Sequence, residues 1–107
     1  MCIPQSHGSM MELYIKQIRE SVPEAALYEQ LAEECTELAQ ACLKKARKLR
    51  GESYTPRTME EIDASIEEEY TDVRLCANAC NLVVDWTAKY DKTIRWINRN
   101  GKYKNLC

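Results

Sequence analysis

Two stretches of this chain carry the same conjunction: an apolar stripe at helical spacing and, on its edge, two carboxylates three residues apart. The first is Glu33-Glu34-Cys35-Thr36-Glu37-Leu38 and the second is Glu68-Glu69-Tyr70-Thr71-Asp72-Val73. At about 100° of rotation per residue, Glu34 and Glu37 lie about 60° apart on a helix surface, as do Glu69 and Asp72, so each pair reaches one point. A solvated helix face usually offsets a carboxylate with Lys or Arg three or four residues away. Here those positions hold Gln30, Leu31, Glu33, Leu38, Gln40 and Ala41 in the first stretch, and Ser65, Ile66, Glu68, Val73, Leu75 and Cys76 in the second. Like charges at this spacing repel, and the local sequence supplies no cation to relieve them.

The rest of the chain also reads as helix. A short first helix is expected from about Met11 to Arg19, followed by Ser21-Val22-Pro23, whose proline suits the first turn of the next helix. The second helix should run from Glu24 to about Arg50 and stop at Gly51, with basic residues massed at its C-terminal end, where they complement the helix dipole. Residues 51–57 read as a loop, and Thr58-Met59-Glu60-Glu61 is a capping box opening a third helix that should continue to about Val84. A fourth helix, from about Trp86 to Arg99, has its stop at Asn100-Gly101. Four helices with short connections predict an all-α, antiparallel four-helix-bundle-like fold.

Residues 1–10 fit this pattern poorly and are set aside as an N-terminal extension or vector-derived segment, leaving a single domain over residues 11–107. The formal charge of −2 argues against a nucleic-acid binder, which needs net basic surface, and no apolar run is long enough to span a membrane. With no signal-peptide pattern at the N-terminus, the expected location is cytoplasmic. Among the six cysteines, Cys35 and Cys42 share a stripe with Leu31, Leu38 and Leu49, and Cys76 and Cys80 flank the matching stripe on the third helix. They are expected to be buried thiols acting as small hydrophobes.

On the second helix Leu31, Leu38, Cys42 and Leu49 cluster on one side, Glu34 borders them and Glu37 lies farther out; on the third, Val73, Ala77 and Val84 cluster with Ile66, Glu69 borders them and Asp72 lies farther out. Antiparallel packing of the two helices would bring four carboxylates together at the rim of the core. Four oxygen donors favour a hard divalent ion, Mg²⁺ with Mn²⁺ as the other candidate, over zinc or iron. A di-iron bundle needs two Glu-x-x-His elements, and the one histidine is His7, outside the expected helical body.

The pattern Glu-Glu-x-x-Glu followed after an interval by Glu-x-x-Asp resembles the signature of the all-alpha nucleoside triphosphate pyrophosphohydrolases. This MazG-like superfamily includes dimeric dUTPases, dCTP pyrophosphatases and phosphoribosyl-ATP pyrophosphohydrolase. The resemblance covers about residues 24 to 100. It implies that Glu34, Glu37, Glu69 and Asp72 hold Mg²⁺, and that the chain cleaves a nucleoside triphosphate substrate between its α and β phosphates. It also implies a fold completed by association into a homodimer or homotetramer, with sites near the subunit interface.

Other roles follow from that chemistry. Glu33 and Glu68, outward of the metal ligands, are the candidates for orienting the attacking water, against the plain alternative of solvated outer-face acids. Lys92 and Arg95 lie with Arg99 on one basic stripe of the fourth helix; related enzymes carry a Lys followed by Arg or Asn in the helix after the second motif, which makes the two the candidate triphosphate contacts. Asn78 is the candidate for reading a base edge or ribose. Trp86, Tyr90, Ile94 and Trp96 are candidates for the contact between chains. The competing expectation is a non-catalytic helical nucleotide- or protein-binding module, which would have no need of four unpaired carboxylates in register.

Overall fold

The computed structural model describes residues 7–52 and 54–100. It is all-helical, with no strand among the described residues: α1 spans His7–Ser21, α2 Glu24–Arg50, α3 Met59–Ala79 and α4 Trp86–Arg99. The helix α1 begins four residues earlier than Met11, so residues 7–10 of the segment set aside above are helical; residues 1–6 and 101–107 lie outside the described residues.

Helix α2 has the bounds its sequence signals dictate. Pro23 precedes it in an extended conformation, and its carbonyl accepts the Leu27 N–H at 3.1 Å. At the other end Gly51 has φ 68°, and its N–H reaches Lys48 O while Glu52 N–H reaches Arg47 O, the paired bonds of a Schellman motif. The Thr58 capping box closes in both directions: Glu61 N–H donates to Thr58 Oγ1 at 3.1 Å and Thr58 N–H to Glu61 Oε1 at 3.2 Å.

The helix α3 stops at Ala79, short of Val84. A second Schellman motif ends it, with Asn81 in the left-handed region at φ 62°, Asn81 N–H on Asn78 O and Leu82 N–H on Ala77 O, both at 2.9 Å. Asn tolerates that conformation better than any residue but Gly, so the chain turns out of the helix there. Arg19 of α1 strengthens the stop by donating its guanidinium to the carbonyls of Asn78 and Ala79, two of the groups a helix end leaves unpaired. Residues 82–85 are non-helical, and Asp85 then caps α4 by accepting the N–H groups of Thr87 and Ala88.

The main packing is α2 against α3, with α1 laid on α3. The two long helices run antiparallel. Lys45 near the end of α2 pairs with Asp63 near the start of α3 at 2.6 Å, while Glu24 and Leu27 at the start of α2 share a hollow with Ala79, Cys80 and Asn81. The buried core consists of Ile15, Ala41, Ile62 and Ala79, with Ile62 at 2% exposure the most enclosed. The helix α4 forms no extensive interface with the other three, and Trp86, Tyr90, Ile94 and Trp96 are exposed.

The cysteine stripe departs from expectation. Cys35, Cys42 and Leu49 of α2 are exposed while Leu31 and Leu38 are half-buried, and Cys76 and Cys80 of α3 are also half-buried. The cause is that α2 is apolar on more than one side, and α3 covers only the side carrying Leu27, Leu31, Leu38 and Ala41.

Candidate metal centre

The two acid motifs come together across the α2–α3 seam. One oxygen each of Glu34, Glu37 and Glu69 lies within 4.8 Å of the other two. Glu34 and Glu69 are half-buried, seated in the seam itself between apolar neighbours on their own helices, and Glu37 stands outside them, exposed. Asp72 is half-buried as well, which places it deeper than its angular position implied. It falls outside the three-acid cluster yet is near enough for its charge to act on Glu37.

The repetition extends beyond the carboxylates. Thr36 donates its hydroxyl to the carbonyl of Ala32 at 3.0 Å, and Thr71 donates to that of Glu67 at 2.8 Å, so each motif threonine bonds back one turn beside the acid that follows it.

Two oxygens in the cluster have unmet bonding capacity. Glu34 Oε2 and Glu69 Oε2 are buried and accept no hydrogen bond. Buried polar atoms are almost always satisfied, because leaving one bare costs its full desolvation penalty. None of the four acids forms an ion pair among the described residues. Among the described residues the direct polar support from outside the acids is neutral: Gln30 Nε2 donates to Glu34 Oε1 at 2.6 Å.

The electrostatic consequence appears on Glu37. Its carboxyl is held above the ordinary value, first by a hydrogen bond shared with the Glu69 carboxyl, which requires a proton, and then by the negative charge of Glu69. Partial loss of hydration and the charge of Asp72 push the same way, while a hydrogen bond with Glu34 opposes them. Nearby, burial pushes the Cys76 thiol up, and the charge of Glu34 adds to the rise.

A proton is one way for such a group of acids to lower its charge; a divalent cation is the other. In an octahedral Mg²⁺ shell, opposite ligand oxygens are about 4.2 Å apart. Adjacent oxygens of that shell are about 3 Å apart, so three carboxylate oxygens spread over as much as 4.8 Å would close by up to about 2 Å to share one ion. The orphaned atoms on Glu34 and Glu69 are the donors such an ion would take.

The other candidate residues are not gathered at this point. Glu33 and Glu68 are exposed on the outer surfaces of their helices. Lys92 and Arg95 are exposed on α4, which lies apart from α2 and α3. Asn78 lies on the side of α3 away from Glu69 and Asp72. It borders a hollow formed with Met11, Ile15 and Arg19 of α1, and its own carbonyl is taken by Arg19 and Asn81. Gln30 went unassigned in the sequence reading, although its position four residues before Glu34 is the spacing at which helical side chains meet. No protein-family model, curated protein or solved structure matches the chain.

Proposed function

We propose that this chain is an Mg²⁺-dependent nucleotide pyrophosphohydrolase of the MazG-like all-alpha type, acting on surplus or non-canonical nucleoside triphosphates in the cytoplasm. The observation that carries the reading is the convergence of Glu34, Glu37 and Glu69 from two antiparallel helices, with buried carboxylate oxygens that no protein donor meets. Glu34 and Glu69 would hold the ion from the seam, Glu37 from its open edge and Asp72 from the next turn of α3. Mg²⁺ bound there, or Mn²⁺, neutralises phosphate oxygens and lowers the pKa of a coordinated water.

The reaction adds water across the anhydride between the α and β phosphates and releases a nucleoside monophosphate and pyrophosphate. Glu33 and Glu68, exposed on the outer surfaces of their helices and outside the acid cluster, would have to be brought toward it to orient the attacking water in this reading. In this reading the bundle is completed by association of chains, and Lys92 and Arg95 reach the phosphates as part of that larger assembly.

The separation of α4 from the acids within one chain favours a second reading, a non-catalytic helical module that binds nucleotide or protein. One experiment divides the two. Pyrophosphate release is measured over a panel of nucleoside triphosphates with Mg²⁺ or Mn²⁺, beside Glu37→Gln and Asp72→Asn. Metal-dependent turnover lost in both variants supports the enzyme, and absence of turnover on every nucleotide rejects it.

A further inference from the structure

The acids of the two motifs are not held alike. Glu34 has a donor from outside the cluster: Gln30, one helical turn earlier on α2, gives a side-chain amide N–H to Glu34 Oε1 at 2.6 Å. The matching position before Glu69 holds Ser65, which carries no amide, and among the described residues no donor from outside the acids reaches Glu69. Thr36 and Thr71 recur in both motifs and bond to backbone carbonyls, so they do not account for the difference. The amide belongs to the first motif alone.

Carboxylate geometry gives that bond a consequence. The two oxygens sit at a fixed angle on one carbon, so holding Oε1 sets the direction of Oε2. Glu34 Oε2 is buried without a hydrogen-bond partner, and Glu34 is one of the three acids that converge across the seam. Gln30 is exposed, so it takes Oε1 from the solvent side and leaves Oε2 to the seam. Closing three oxygens on one ion costs less side-chain freedom when one of them is already held in place. Glu34 is then the fixed point, and exposed Glu37 is the member free to swing toward it.

The charge of the donor matters as much as its reach. A lysine at position 30 would meet Glu34 over the same i, i+4 spacing, but it would bring a positive charge into the cluster. The amide supplies the hydrogen bond without that charge. The acids therefore keep the negative potential that draws a cation.

We propose that Gln30 is a positioning residue: a neutral donor that fixes the Glu34 carboxylate and turns its second oxygen toward a bound divalent cation. This rests on the reading of the acids as a metal centre. Donors to the ligands of a metal are typically worth 10- to 100-fold in affinity. Water replaces part of a bond lost at an exposed position, so the lower end, about tenfold, is expected for Gln30.

The test has a metal-free arm and a metal arm, both on the full chain. In chelator, the side-chain amide resonances of Gln30 in a proton–nitrogen NMR spectrum should move on Glu34→Gln, while those of Gln40, exposed on the same helix, stay in place. In calorimetric titration with Mn²⁺, Gln30→Leu should bind about tenfold more weakly than the wild type, with unchanged helical circular dichroism, and Gln40→Leu should bind as the wild type does. Gln30→Lys should raise the melting temperature in chelator yet bind Mn²⁺ more weakly than the wild type. Gln30 resonances indifferent to Glu34→Gln, or a Gln30→Leu variant as tight as the wild type or no weaker than Gln40→Leu, would overturn the positioning role and leave the metal centre standing. A Gln30→Lys variant as tight as the wild type would overturn the role of neutrality. A wild type that binds no Mn²⁺ would overturn the role and the centre together.

Discussion

Replacing Glu69 by Gln separates a metal centre from an ordinary acidic surface, because the two accounts give opposite signs. Glu69 shares its cluster with Glu34 at an oxygen separation of at most 4.8 Å, and both residues are half-buried with an unsatisfied buried oxygen. Two unit charges at that distance repel by about 1 kcal/mol in bulk water and about 3.5 kcal/mol at an effective dielectric constant of 20. Gln keeps the size of the side chain, removes one charge and brings an amide that can donate to Glu34. In chelator, Glu69→Gln is therefore expected to be more stable than the wild type by about 1 to 3 kcal/mol. For a domain of this length, that is a rise in melting temperature of about 4 °C or more.

With millimolar Mg²⁺ or Mn²⁺ the order reverses in its response. The wild type gains stability by mass action at its site, and the variant, lacking one ligand and one charge, gains little. Thermal denaturation followed by circular dichroism, with and without chelator, reads both effects. A wild type that ignores both ions, together with a Glu69→Gln variant no more stable than it, would refute the reasoning.

Two further outcomes follow from the same structure. The Glu37 carboxyl titrates above its ordinary value of 4.5, because Glu69 favours its protonated form. A carboxyl raised on folding binds its proton more tightly in the folded state, so metal-free stability should fall as pH rises from about 4.5 through the folded value, while the stabilisation by added Mg²⁺ grows across that window; denaturant melts at a series of pH values check both slopes, and a metal-free stability that rises there contradicts the shared proton. Thr58→Ala removes one arm of the capping box at the start of α3 and is expected to cost about 1 kcal/mol in urea unfolding with the metal response unchanged.

Much of the fold was legible because its signals are local. Pro23 and Gly51 bound α2, the Thr58–Glu61 box opens α3, and α4 occupies the expected Trp86–Arg99. The end of α3 was not legible, because an Asn in the left-handed conformation at position 81 looks like any polar residue in a helix until the Arg19 contact and the Schellman bonds are visible. The cysteine stripe misled for a related reason. Periodicity shows that α2 is apolar at Cys35 and Cys42, yet it does not say which of two apolar sides α3 takes.

The acid site divides along the same line. Angular spacing identified the residues that meet, Glu34, Glu37 and Glu69, since two helices packed by their stripes leave the flanking acids little choice. It placed Asp72 too far out, and it left open where α4 would stand, because that depends on packing between elements distant in sequence. Lys92 and Arg95 form a basic stripe in the sequence and on the helix, but the chain itself does not carry that stripe to the acids.

The central claim is that these carboxylates form a cation site, and calorimetric titration of Mn²⁺ into the full chain tests it most directly. The expected result is a saturable site of fixed stoichiometry, competed by Mg²⁺ and abolished by Glu34→Gln with the helical fold retained. Binding that is absent, or that persists unchanged in Glu34→Gln, would contradict it.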